Sequence, residues 1–103
     1  MKPTIGRIVI YKMHGSDAAA INARRKDAQE KMAWHQALRT GAQVHVGNAI
    51  KEDDEFPCII TKVWGETETS AFNGQVFLDG GDLFWITSSH IGEGRGECRW
   101  PTR

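Results

Sequence analysis

The chain has 103 residues, in which 13 lysines and arginines balance 13 aspartates and glutamates, so its formal net charge at pH 7 is zero. This length allows one domain with a buried core, and a hydrophobic share of 40% is ordinary for a globular protein. Neutral charge argues against a protein held to duplex DNA mainly by electrostatics. The composition excludes an intrinsically disordered chain and predicts a single domain over residues 1–103.

The N-terminus and the cysteines predict a cytoplasmic protein. The apolar run at residues 8–10 is short and is bracketed by Arg7 and Lys12. We therefore expect neither a signal peptide nor a membrane span. Cys58 and Cys98 are far apart and lack Cys-x-x-Cys spacing, which argues against a zinc site or a redox pair. We expect two reduced thiols and no membrane partner.

The first part of the chain predicts one strand and one helical insertion. Residues 5–12 alternate and are rich in β-branched side chains, which is typical of a strand. Ser16 then offers a helix N-cap, and a helical insertion is predicted at about 16–39, before Gly41. Its apolar residues form two stripes that do not align. This pattern leaves open two short helices with a bend near Lys31 or one helix with different neighbours at each end.

The second part of the chain predicts short strands joined by turns. The segment from Cys58 to Trp64 is almost continuous in apolar and β-branched residues, so we place it centrally in a sheet. Trp64 and Trp85 are assigned to the core, and the acidic run at 51–55 to a solvated loop. The other predicted strands are 42–46, a hairpin of 75–78 and 83–88, and a short strand around 97–100.

This order of elements predicts an α+β domain. One early helix followed by short strands and tight turns favours a small, partly open antiparallel β-barrel, SH3-like, with the helical insertion after the first strand.

No catalytic pattern is present in the sequence. It has no P-loop, no nucleophile elbow, no zinc-protease motif and no dinucleotide fingerprint. Cys58 lies in an apolar strand and is interpreted as core, and the four histidines lack metal-ligand spacing. We therefore predict a protein that is not an enzyme and that uses no metal and no cofactor.

Several polar residues suggest a binding site. Arg24 and Arg25 are adjacent on the predicted helix, about 100° apart around its axis, and guanidinium groups bind phosphate bidentately. His45 lies on an alternating strand, and Asn48 follows a glycine that allows close backbone approach. Trp100 could stack on a planar ring or cover the open end of the barrel. These five residues are the predicted ligand-binding set; the alternatives are a solvated helix face and an ordinary edge strand.

Four motifs carry a resemblance: PTIGRIVIY at 3–11, FPCIITKVWG at 56–65, NGQVFLDG at 73–80 and GECRWP at 96–101. They resemble a widespread family of small tailed-phage and prophage proteins. The similarity continues through DAAAINARRKDA at 17–28 and GAQVHVGN at 41–48, and so covers most of the chain. The resemblance implies a phage gene product that acts in the host bacterial cytoplasm, with an accessory role against host defence.

Three classes of function remain open at this point. The first is a non-enzymatic phage binder that sequesters a phosphate-bearing small molecule, such as a nucleotide immune signal, with a homo-oligomer supplying several arginines by symmetry. The second is a protein-interaction module that inhibits a host protein or assembles with phage proteins. The third is a single-stranded nucleic-acid binder, which the neutral charge disfavours.

Overall fold

The computed structural model of this protein describes residues 1–37 and 47–102. Within them it contains one helix and five strands, which confirms the predicted α+β class. The predicted strand at 42–46 lies outside the described residues. The elements are β1 (Ile8–Lys12), α1 (Gly15–Ala37), β2 (Glu55–Val63), β3 (Phe72–Phe77), β4 (Leu83–Ser89) and β5 (Cys98–Arg99).

The five strands form one antiparallel sheet in the order β4-β3-β2-β1-β5. The central position predicted for the Cys58 strand is confirmed, because β2 pairs with β1 on one side and β3 on the other. Strands with neighbours on both sides bury most of their backbone, and this favours the β-branched residues that fill β2. The β3–β4 hairpin is confirmed as well, with β3 beginning earlier than predicted, at Phe72.

The sheet does not close into a barrel. Strands β4 and β5 are its two edges, and one isolated bridge, between Ile91 and Cys98, links the segment after β4 to β5. The expected SH3-like barrel is therefore not confirmed. Strand β5 has only two residues, and such a short strand makes too few backbone hydrogen bonds to close the sheet into a barrel.

The core lies between the inner face of the sheet and the first turns of α1. Alternate residues of each strand point inward, as the pleat requires. Met13, Ala18, Ile21 and Ile50 cover them from the helix side. The buried residues on the strands are Val9, Tyr11, Cys58, Ile60, Phe72, Val76, Ile86 and Cys98. Both cysteines are free and fully buried, which agrees with the core role predicted for Cys58.

The starts of α1 and β1 also differ from the predicted ones. Helix α1 begins at Gly15, and His14 caps it: the His14 carbonyl accepts from the Ala18 N–H, and its ring nitrogen accepts from the Ser16 N–H at 3.1 Å. Strand β1 begins only at Ile8, because Gly6 turns the chain with a φ of 89°. The sequence left open two short helices or one helix. The structure has one continuous helix as far as Ala37.

The assignment of Trp64 and Trp85 to the core is wrong, since each is 59% exposed. Trp85 pairs with Gln75 in a register that turns both side chains away from the core. Trp64 follows the last residue of β2 and lies under the ammonium of Lys62, 5.0 Å from the ring centroid. In the described part of the chain, no helix combines the length and apolarity that a membrane crossing needs.

Candidate functional site

Arg25 joins three separate segments of the chain. Only 7% of its surface is exposed. Its Nε and Nη2 donate to the two carboxylate oxygens of Asp82, at 2.9 and 2.8 Å. Nη1 donates to the carbonyl of Asn48, and Nη2 donates also to that of Asp79, at 3.3 Å. All three guanidinium nitrogens therefore have protein partners, and Arg25 fastens α1 to the segment before β2 and to the β3–β4 turn.

Arg24 shares the same carboxylate from a more exposed position. Its Nη2 donates to Oδ2 of Asp82 at 3.1 Å and to the carbonyl of Leu83 at 3.0 Å. The side chain is 49% exposed. The structure thus brings the two predicted arginines together on one carboxylate rather than on an open surface.

Asn48 is the third predicted residue at this location. Its side-chain amide donates to the Asp79 carboxylate, so the amide is used within the protein. The predicted close backbone approach at Gly47 is also present: a Cβ placed there would lie 2.6 Å from the Asp79 carbonyl carbon and 2.8 Å from Gly80 Cα. The segment at 47–48 therefore packs directly on the β3–β4 turn.

We call Arg24, Arg25, Asp79 and Asp82 the arginine cluster. Its two positive and two negative side chains balance, so it has no formal excess of positive charge. The hydrogen bond from Arg25 is the main cause that lowers the pKa of Asp82 to about 2, and burial of the carboxylate opposes it. An incoming phosphate would have to compete with this ionised carboxylate for the same N–H groups.

The lowered pKa of Asp82 predicts an acid-sensitive contribution to stability. Ionised Asp82 stabilises the fold above the unfolded-state pKa near 3.8, and this stabilisation is lost as the pH falls through about 2. We expect Asp82→Asn to remove about 1 kcal/mol of that pH dependence, a value reduced because the carboxylate is partly exposed to solvent. Urea unfolding of both proteins between pH 2 and 6 measures it.

Asp53→Asn is the matched control for this experiment. The Asp53 pKa is also lowered, by a hydrogen bond from Arg95, but its side chain is 53% exposed against 28% for Asp82. Its removal is expected to change the pH dependence less than removal of Asp82. Equal slopes for wild type and Asp82→Asn would contradict the ion-pair argument.

Of the remaining predicted site residues, the structure describes only Trp100, which is not joined to the cluster. His45 lies outside the described residues. Trp100 packs partly buried against the core beside β5, and the Arg7 guanidinium carbon is 5.8 Å from its ring centroid. No contact described for Trp100 reaches Arg24 or Arg25.

A polar cleft of about 170 Å³ lies between the start of α1 and β4, and no sequence pattern indicated it. The Tyr11 hydroxyl donates to Asp17 at 2.6 Å inside this cleft. Burial is the main cause that raises the pKa of Tyr11, and the bond to Asp17 adds to it. The phenol therefore stays protonated and holds the first turn of α1 to β1.

The outer face of the sheet, on the side away from α1, carries two rows of apolar side chains. Paired positions place Trp85 beside Gln75, Gln75 beside Ile59, and Ile59 beside Ile8. Four apolar side chains on this face, those of Trp85, Ile8, Leu83 and Phe77, are between 41% and 59% exposed. We define the outer face by the first row, Trp85, Gln75, Ile59 and Ile8, and the second row, Leu83, Phe77, Pro57 and Ile10.

The sequence does contain a signal for this face. Apolar residues occupy consecutive positions in Ile8–Tyr11, Cys58–Ile60 and Leu83–Ile86, so both faces of those strands are apolar. Such runs usually mark strands covered on both sides. Here α1 covers only the inner face, and the second apolar face meets solvent.

The described residues contain no cluster of three or more histidine, cysteine, aspartate or glutamate side chains arranged to hold a metal ion. Comparison with known proteins identifies no family for this chain. No protein-family model, no curated protein and no solved structure matches it.

Proposed function

We propose that this protein is a non-catalytic protein-interaction module and that the outer face of its sheet is the docking surface. The observation that carries the proposal is the contiguity of seven apolar side chains among the eight positions of the two rows, five of which are exposed. Contiguous apolar patches of this size are often functional and serve as sites of protein contact.

The composition of the outer face supports a protein partner over a small polar ligand. Trp85 and Phe77 supply large aromatic surfaces, which dominate the energy of protein interfaces. The ion pair of Arg99 with Glu55, at 2.8 Å, lies at one end of the second row. An apolar centre beside a charged border is the usual anatomy of an interface.

The resemblance to small tailed-phage proteins supports a setting for this function. In that setting the module acts in the host bacterial cytoplasm and binds a host protein or another phage protein. Binding through a preformed sheet face needs no catalytic group and no cofactor, which suits a sequence without catalytic motifs.

Sequestration of a phosphate-bearing small molecule stays a prediction. It requires an anion to displace Asp82 from Arg24 and Arg25, or a further contribution from His45. Single-stranded nucleic-acid binding also stays a prediction, since a backbone-tracking groove needs an excess of positive charge.

A capture experiment with matched tryptophan variants tests the proposed function. The tagged protein is incubated with bacterial lysate, and we expect one stoichiometric partner with wild type. Trp85→Glu places a charge in the first row and is expected to reduce recovery at least tenfold, because the charge would be desolvated at the interface.

Trp64→Glu is the control, since Trp64 has the same exposed fraction as Trp85 but lies beyond the two rows. It is expected to retain the partner. Loss of the partner with both variants, or with neither, would contradict the proposed docking surface. Circular dichroism of each variant shows that the fold is kept.

A further inference from the structure

The area of the outer face matches what a dimer of ordinary size requires. The exposed fractions of its apolar side chains correspond to roughly 500 Å² of apolar surface per molecule. A standard interface buries about 800 Å² per partner, of which about 60% is apolar. The face therefore supplies the apolar part of one complete interface, with its polar border supplying the rest.

The chemistry of the face is compatible with its own copy. Neither row contains an unpaired carboxylate, and the nearby Glu55 carboxylate is neutralised by Arg99. The chain has a net charge of zero, so two molecules do not repel each other as a whole. High apolar content across seven of eight positions resembles homodimer interfaces more than transient ones.

Gln75 gives the face a self-complementary polar group. It lies half-buried on β3, between Trp85 on β4 and Ile59 on β2. A primary amide carries both a donor and an acceptor. Two such amides related by a two-fold axis satisfy each other, which an isologous interface requires.

We propose that a second copy of this chain occupies the outer face, which produces a two-fold dimer of sheets packed face to face. This proposal rests on the proposed function, because it names a partner of the same surface, and a host or other phage protein would bind there by displacing the second copy. The two sheets would lie about 10 Å apart, the ordinary spacing of packed sheets. Each Trp85 would then be covered by the apolar rows of the partner molecule.

Sedimentation equilibrium on the full chain tests the dimer. We expect wild type to be dimeric at about 100 µM protein, within the affinity range of interfaces of this size. Trp85→Glu is expected to raise the dimer dissociation constant at least tenfold. Gln75→Glu, which is nearly isosteric and keeps the fold, is expected to do the same at pH 7 and to recover dimer at pH 4, because the paired carboxyl groups then take up protons.

Trp64→Glu is the matched control and is expected to leave the dissociation constant within twofold of wild type. A wild type that stays monomeric at 100 µM overturns the proposal, as does equal weakening by Trp64→Glu and Trp85→Glu. If the protein is monomeric but still captures a lysate partner through Trp85, the dimer proposal is wrong and the proposed docking surface is not contradicted. A dimer without any lysate partner upholds the dimer and overturns the binding of a second protein.

Discussion

Arg25→Ala is expected to lower the free energy of unfolding by about 4 kcal/mol, because it leaves a partly buried carboxylate without its main partner. Asp82 loses its bidentate ion pair, and the carbonyls of Asn48 and Asp79 lose their donor. The side chain also contributes buried packing, with only 7% of its surface exposed. Urea unfolding at pH 7, followed by circular dichroism, measures the change.

Arg24→Ala provides an unusually close control, since the two residues are adjacent and share Asp82. The Arg24 side chain is 49% exposed, so its ion pair is screened by water. We expect a cost below about 1 kcal/mol for this variant. Similar costs for the two alanine variants would show that Arg25 does not anchor α1 as described. The contrast separates a structural arginine from a surface one at neighbouring positions.

Gly74→Ala is expected to lower the free energy of unfolding by about 3 kcal/mol, the upper end of the range for overpacking a core. Gly74 is buried on β3, between Ile60 and Ile86. A Cβ at this position would collide with the sulfur of Cys58 and would lie 3.0 Å from the carbonyl oxygen of Ile59. Neither neighbour can move freely, because both lie on the central strand β2.

The second substitution Cys58→Ala is expected to relieve part of this cost. It removes the sulfur and leaves a space beside Gly74 that the added methyl group enters. In a double-mutant cycle at pH 7, we expect Gly74→Ala to cost at least about 1 kcal/mol less in the Cys58→Ala background. Strictly additive costs would mean that the sulfur does not limit the space at Gly74.

These predictions assign different roles to the two sides of the sheet. On the inner side, Arg25 holds α1 against the β3–β4 turn, and the core closes over Cys58 and Gly74. On the outer side, apolar residues such as Trp85 contribute little to the isolated fold because water still reaches them. Substitutions at Trp85 should therefore change association more than stability, while those at Arg25 should do the reverse.

Local sequence patterns were sufficient for much of the fold. The absence of glycine and proline between residues 16 and 39 predicted a helix, and within the described residues the helix is present from Gly15 to Ala37. The β-branched run after Pro57 predicted the central strand β2, and it is central. Such features depend on the preferences of neighbouring residues, so they can be read from a short stretch of chain.

The partners of Arg25 could not be predicted in this way. Asp82 is 57 positions further along the chain, and only the packing of α1 beside the β3–β4 turn brings its carboxylate within 2.8 Å. An arginine pair on a helix has the same local sequence pattern whether it faces solvent, a ligand or a distant carboxylate. Whether the sheet closes into a barrel likewise depends on contacts between strands remote in sequence.

The sequence by itself determined that this is an α+β chain with one helical stretch, a central apolar strand and no catalytic motif. Only the tertiary structure decided that Arg25 is an internal anchor and that Trp85 faces outward. The physical reason is that a strand's pleat fixes which residues share a face, while the elements packed above and below decide which face is covered. The first turns of α1 pack over one face of this sheet, and the apolar side chains of the other face remain exposed.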